Sequence, residues 1–376
     1  MQIDQRAEQR RGRILSAGVG LILLLMHLAG VLFPKPPATE KRRLAALPAW
    51  PASPRDLQSF TRGIDAFVKD HFPARTRLIG GLNWLRYQVG DSGVSSVIVS
   101  RQGWLYLDNG THLGMVGAPT LVREGELDRW TAQIDQWTRA VAKGGGHFYL
   151  LIPPDKERVY PEYAPSWYVP LPNPPAEQLT RAAQARGLEN VLYLLPEMLR
   201  AKSESPPAYG PHDTHWTGHA AHAAYLALAE HLRITDSPIS AWPLVRYTRS
   251  SMNPEEDLKK MLGFNGWNTA LPFPLLNHPE TVTRVQKTWL TEKQDSRSSF
   301  IAELGNADGP TLLLVGDSFR GALLPVLQPH FRRIITTHYT DQGIFRQDLI
   351  DRFAPDVVVL EVVERDLVPL LRKATK

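Results

Sequence analysis

The residues best suited to chemistry in this sequence are a serine, a histidine and an aspartate. Ser318 stands in Gly316-Asp317-Ser318-Phe319, directly after the apolar run Thr311-Leu-Leu-Leu-Val315 and before a helical run. Strand, tight turn and helix in that order expose a serine hydroxyl and aim the free N–H groups of the helix N-terminus at whatever it attacks. Gly316 permits the sharp turn. The other role open to Ser318 is to N-cap the helix that follows. A nucleophilic serine needs a base, because almost no alkoxide exists at neutral pH. The stretch His212-Asp213-Thr214-His215-Trp216 offers one. Asp213 is near enough to His215 in an extended loop to accept from its imidazole, fix the tautomer and stabilise the imidazolium. Ser318, His215 and Asp213 would then make the triad of a hydrolase or an acyl transferase.

The same histidines admit a second chemistry. His215, His219 and His222 are spaced four and three apart, with His212 and Asp213 near, and i, i+4 histidines on a helix can hold zinc. Against this, His215 precedes the expected helix start and the glutamate of H-E-x-x-H is missing; the expectation is no metal and no cofactor. Three residues are candidates for binding substrate. Trp216 would stack on a sugar ring, its other reading being packing beside its own loop, which is also preferred for Trp104. Lys156 would meet an anionic group or lie on the surface. Arg365 is the third, with a structural ion pair to Glu361 as its other reading. Gly144-Gly145-Gly146 follows a helix rather than a strand, so it reads as a helix stop and not as a phosphate loop.

The elements that must position these residues alternate. Helical spacing marks 126–143, 178–186, 219–232, 321–328 and 346–353. Short continuous apolar runs mark strands at 147–152, 191–195, 311–315, 333–337 and 357–362. Buried strands alternating with helices predict an α/β fold with a flavodoxin-like parallel sheet and helices on both faces. Sites in such sheets lie in loops at the carboxyl ends of the strands. Those loops hold Pro153-Pro154-Asp155-Lys156, Gly316-Asp317-Ser318, His338-Tyr339 and Glu361. Upstream, 56–69 and 75–89 read as amphipathic helices and 94–100 as a strand. Residues 234–305 fit the alternation poorly and read as an insertion.

The 376 residues are 43% hydrophobic and 22% charged, which suits a folded chain with a sizeable core. The absence of cysteine excludes a disulfide framework, a thiolate nucleophile, an iron–sulfur cluster and a cysteine zinc site. A net charge of +5 is a mild bias towards anionic partners, far short of a nucleic-acid-binding stripe. Residues 14–33 carry no charge, and twenty residues span about 30 Å as a helix, the thickness of a bilayer core. Arginines lie only on the N-terminal side, which places that end in the cytoplasm. The expected layout is a cytoplasmic tail over 1–13, an uncleaved signal anchor over 14–33, a Pro-rich tether over 34–54 and one catalytic domain over 55–376. A cleaved signal peptide is the competing reading of the anchor.

The sequence resembles the AlgJ/AlgX family of SGNH-hydrolase-like alginate O-acetylation proteins from about Arg42 to Arg365. The resemblance rests on Lys41-Arg42-Arg43-Leu44, Asp70-His71-Phe72-Pro73, Arg101-Gln-Gly-Trp-Leu105, Ile152-Pro-Pro-Asp-Lys156, Asp213-Thr-His-Trp216, Asp257-Leu-Lys-Lys-Met-Leu-Gly263, Gly316-Asp-Ser-Phe319 and Val362-Val-Glu-Arg365. The N-terminal anchor and the chain end soon after Arg365 look more like the AlgJ branch. The resemblance implies a circularly permuted SGNH topology, with Asp213, His215 and Ser318 in the places of the family's triad. The glycine and asparagine blocks that complete the oxyanion hole of ordinary SGNH enzymes are not found, which leaves the Ser318 N–H as the one donor to name. The implied activity is O-acetylation of an exported polysaccharide such as alginate, through an acetyl-serine. The implied partners are the polysaccharide acceptor and a membrane-bound acyltransferase that supplies acetyl groups. The expected location is the inner membrane, with a single pass and the domain in the periplasm. An esterase using the same triad and a non-catalytic glycan-binding component of an export complex are the alternatives.

Overall fold

A computed structural model of the protein describes residues 44–375, except 73–74, 109, 111–120, 205–206, 232–243, 250–255, 264–271, 277–284, 293, 296 and 305–307. The expected tail, the anchor over 14–33 and most of the tether lie outside the described residues. Among the described residues no helix is long and apolar enough to cross a membrane.

The chain divides into two compact units, residues 1–93 with 260–266, and residues 94–259 with 267–376. In the first, the expected helices are found as α1 (Leu57–His71) and α2 (Arg75–Gln88). Asn83 Nδ2 donates to the Leu262 carbonyl at 2.7 Å, tying α2 to that distant stretch.

The second unit carries the chemistry-bearing residues. Its strands are β1 (Val97–Val99), β2 (Leu105–Leu107), β3 (His147–Ile152), β4 (Val191–Tyr193), β5 (Leu244–Arg249), β6 (Pro272–Leu276), β7 (Gln286–Trp289), β8 (Phe300–Glu303), β9 (Thr311–Gly316), β10 (Arg333–His338) and β11 (Val357–Glu361). Strands β1 and β2 form a hairpin, and β5 and β6 pair antiparallel as a second two-stranded sheet. The other seven make one sheet in the order β4-β3-β11-β9-β10-β8-β7. The first five run parallel, so the strands ending near Ile152, Val315 and Glu361 are parallel neighbours. The sheet is not parallel throughout: β8 and β7 close its edge antiparallel. Both come from the stretch expected to be an insertion, which therefore supplies two strands of the sheet.

The strand sequences explain why both faces are covered. Side chains alternate between faces along a strand. Leu312, Leu314, Val357, Val359, Tyr149 and Leu151 go to one core. Leu313, Val315, Val358, Leu360, Leu150 and Ile152 go to the other. A strand buried on both sides must be apolar at every position, hence the unbroken runs. The first face is covered by helices over Leu195–Lys202, Gly218–His231 and Arg320–Leu327. The second is covered by helices over Glu126–Ala142, Pro175–Gln184, Gln347–Phe353 and Glu364–Ala374. Each large side chain buried this way contributes about 1.5–3 kcal/mol. The three glycines after Ala142 do end their helix: the N–H of Gly146 donates to the Val141 carbonyl at 3.2 Å, and Gly145 has φ +83°.

Strand order creates the place for a site. From β3 the chain crosses outward to β4, while from β9 it crosses the opposite way to β10, and β11 returns between β3 and β9. The carboxyl ends of β3, β11 and β9 thus lie side by side at a topological switch point, where open α/β sheets bind ligands.

Candidate active site

The turn after β9 is built around a close approach. A Cβ on Gly316 would stand 2.5 Å from Glu361 Oε2, so only glycine lets β9 pass the end of β11. The N–H of Asp317 donates to that same Glu361 oxygen at 3.1 Å. The buried Asp317 carboxylate accepts the Phe319 N–H at 2.8 Å on Oδ1 and the Val363 N–H at 3.0 Å on Oδ2. These bonds pin the backbone on either side of Ser318 and turn its side chain outward, where it is exposed. The helix begins at Arg320 behind Phe319, and the Ser318 hydroxyl is engaged elsewhere.

Its partner is His215, which comes from the loop between Tyr209 and Trp216, two residues that bridge each other. Nε2 of His215 lies 2.7 Å from Ser318 Oγ. Nδ1 lies 2.7 Å from Asp213 Oδ1, which also accepts the His215 backbone N–H at 2.8 Å. An ionised carboxylate only accepts, so Nδ1 carries the proton and the Nε2 lone pair faces the serine O–H. Burial works to raise the Asp213 pKa, but the hydrogen bond and charge of His215 outweigh it and hold the carboxyl below its usual value. Burial works to lower the His215 pKa, but its bond to Asp213 and the charges of Asp213 and Asp257 outweigh it and raise it. The arrangement can take a proton from Ser318 and hold it.

Trp216, Lys156 and Arg365, expected to bind substrate, have other work. Trp216 is only 3% exposed and donates its indole N–H to the Phe319 carbonyl at 2.9 Å, so neither ring face is open to a sugar. Lys156 is neither a surface charge nor an open cation. It is buried, and Nζ donates to the carbonyls of Leu105, Gly210, Pro211 and Asp213 at 2.7, 2.9, 3.0 and 3.0 Å. Burial pushes its pKa down to about 7. An ammonium, with three hydrogens and one of them shared between two oxygens, meets these four carbonyls better than a neutral amine with two. Lys156 therefore clamps the loop that carries His215 from beneath.

Arg365 does not pair with Glu361. It reaches Asp155 at 2.8 Å and lies over the Phe319 ring at 5.3 Å. Glu361 is completely buried beneath the turn that carries Ser318, and burial followed by the Asp317 charge pushes its pKa well up. Asp257 was missed as a site residue, although its stretch carried part of the resemblance. It sits beside Asp213, whose Oδ2 accepts the Asp257 N–H at 3.2 Å.

The zinc arrangement is not formed. His219 faces Glu204 at 3.3 Å and His222 packs near Tyr225, both away from His215. Among the described residues, one group of three possible ligands exists, Asp213, His215 and Asp257, with ligand atoms within 4.8 Å of one another. The Nδ1 proton already bridges His215 to Asp213 there, so the group is accounted for by hydrogen bonding.

Residues 97–351 match the family described as SGNH hydrolase-like domain, acetyltransferase AlgX. No curated protein matches the chain. Among solved structures, Bacillus cereus PatB1 matches with a TM-score of 0.50 at 14% identity, over 72% of this chain and 96% of that one. A DHHW family protein from Eubacterium siraeum matches with a TM-score of 0.48 at 15% identity, over 74% and 97%. The O-acetyltransferase domain of Pseudomonas putida AlgJ matches with a TM-score of 0.43 at 20% identity, over 75% and 99%. At such identities the PatB1 likeness is one of fold alone.

Proposed function

The chain belongs to the family of SGNH hydrolase-like acetyltransferase AlgX domains, and on that premise we propose that it O-acetylates an exported polysaccharide, alginate or a similar glycan, with Ser318 as nucleophile, His215 as base and Asp213 as orienting group. The observation that carries the reading is the unbroken line from Ser318 Oγ through His215 to Asp213, with both links at 2.7 Å.

In this mechanism His215 Nε2 takes the Ser318 proton as Oγ bonds to the acetyl carbonyl carbon. The Ser318 N–H, at the turn into the helix, is the donor we assign to the developing oxyanion. Collapse expels the donor's leaving group, which takes the proton from His215, and leaves acetyl-Ser318. A sugar hydroxyl then gives its proton to His215 and attacks the acetyl carbon, and the serine leaves with that proton. Asp213 faces the imidazolium in both halves of the cycle.

The test separates transferase from esterase. The purified domain is given an activated acetyl ester with and without polysaccharide, and acetylated glycan and free acetate are measured. The expected result is acetylated glycan at the expense of acetate. Equal acetate release in both arms, with no acetylated glycan, would assign the same triad to an esterase.

The proposal includes an anchor over 14–33, with the domain in the periplasm and a membrane-bound acyltransferase delivering acetyl groups, since no acetyl-CoA pool exists there. The full-length protein is expected to stay with membranes after alkaline carbonate washing, and a protein starting at residue 35 to be released. A mature N-terminus recovered between residues 28 and 40 would show cleavage instead.

A further inference from the structure

Asp257 opens a short helix, Asp257–Met261, in the stretch between β5 and β6. Its Oδ1 accepts the Thr214 N–H and the Leu258 N–H, both at 2.8 Å, and its Oδ2 accepts the Thr214 hydroxyl. The same Oδ2 lies 3.7 Å from His215 Nδ1. Two carboxylates from different parts of the chain therefore face one imidazole nitrogen. Nδ1 has a single hydrogen, and Asp213 holds it at 2.7 Å. Asp257 stands behind as the next acceptor, outside hydrogen-bond distance but within range of strong charge attraction.

We propose that Asp257 is a positioning residue of the acetyl-transfer site, a second anion that holds the base His215 and takes over its Nδ1 when Asp213 is lost. The proposal rests on the triad reading above. Its physical logic is a repulsion relieved at the right moment. Two neighbouring carboxylates disfavour each other, and burial together with the Asp213 charge raises the Asp257 pKa. When His215 takes the Ser318 proton, the imidazolium faces both anions and the strain between them falls. The charged state of the base thus gains from two carboxylates rather than one. Arg365, from the helix Glu364–Ala374, is the charge that opposes them at His215.

The experiment reads His215 directly. Its imidazole is titrated by NMR in the otherwise unaltered protein and in Asp257→Asn, Asp257→Ser and Thr214→Val. Asp257→Asn keeps the size of the side chain and an oxygen for Thr214, and Asp257→Ser is a second neutral variant should the first fold poorly. Both neutral variants are expected to lower the His215 pKa. Thr214→Val, which removes a hydroxyl that donates to Asp257 and lies 3.4 Å from His215 Nδ1 but keeps the carboxylate, is expected to move it less than either neutral variant. The limb of the activity profile where His215 loses its proton should move to lower pH with it, since only neutral imidazole acts as base. Asp213→Ala should lose less than the roughly 10⁴-fold that removal of a triad carboxylate costs, and adding Asp257→Asn should lower the remaining activity more than Asp257→Asn lowers that of the intact site.

A His215 pKa unmoved by both neutral variants, or losses that simply multiply, would overturn the second-anion role. The NMR titration of His215 does not depend on catalysis by Ser318, so its outcome is distinguishable from failure of the triad, which Ser318→Ala tests in the activity assay.

Discussion

Ser318→Ala and His215→Ala are each expected to lower acetyl transfer by about 10⁴- to 10⁶-fold while the protein stays folded. The size follows from the line Ser318–His215–Asp213, with both links at 2.7 Å. Without Oγ no acetyl-enzyme forms. Without Nε2 the hydroxyl keeps its proton and remains a poor nucleophile. Ser318 is exposed, so its loss removes no packing, and thermal unfolding should be nearly unchanged. The double variant should be hardly slower than either single one, because the two residues act as a unit. Mass spectrometry after incubation with an activated acetyl ester should find the acetyl group on Ser318. A fully active Ser318→Ala protein would end the triad reading, and activity that then disappeared on chelation would point to metal chemistry.

Lys156→Met is expected to damage stability and catalysis together. Methionine is close to lysine in length and would leave the four carbonyls around Nζ without their donor. Each bond to a charged donor contributes about 1.5–3 kcal/mol, and an unsatisfied buried acceptor carries a further penalty. Even with partial relaxation the loss should be about 4 kcal/mol, a large part of the ~5–15 kcal/mol that holds a domain together. For a unit of this size that is a fall in Tm of about 10 °C. Three of the four carbonyls belong to Gly210, Pro211 and Asp213, so the loop that carries His215 is the part released. A displacement of about 1 Å at the base costs roughly 10²-fold in rate, which predicts a fall in kcat in whatever protein remains folded. Lys156→Arg should not restore it, because a planar guanidinium does not fit a pocket shaped for a point charge. An unchanged melting curve with KM alone raised would return Lys156 to the role of a substrate contact.

The layered sheet was legible in the sequence because burial leaves a period. Val357–Leu360 and Leu312–Val315 are apolar at every position since both faces of their strands are covered, and the helix Glu126–Ala142 shows its buried side at Trp130, Ile134, Trp137 and Val141, every third or fourth residue. The site was legible where its chemistry is local. Ser318 follows its strand directly, and Asp213 reaches His215 across two residues, so short motifs were enough to single them out. The antiparallel edge was not legible, because Gln286–Trp289 and Phe300–Glu303 are short and half-exposed and carry no continuous apolar run.

What the sequence determined alone was therefore the set of faces and the choice of Ser318, His215 and Asp213 as candidates for chemistry. The tertiary structure decided which polar groups meet. Ser318 finds His215 across 103 residues, Arg365 finds Asp155 across 210 rather than nearby Glu361, and Asp257 finds Asp213 across 44. Lys156 and Trp216 look like contacts for a substrate when read as residue types, yet both lie inside, filling carbonyl and packing needs that no motif announces. The physical reason is that apolar burial is set by a repeating pattern along one element, whereas a hydrogen bond or ion pair is set by the single place where two elements end together. The order β3-β11-β9 brings those ends to one edge of the sheet, and only there do the partners of these residues become defined.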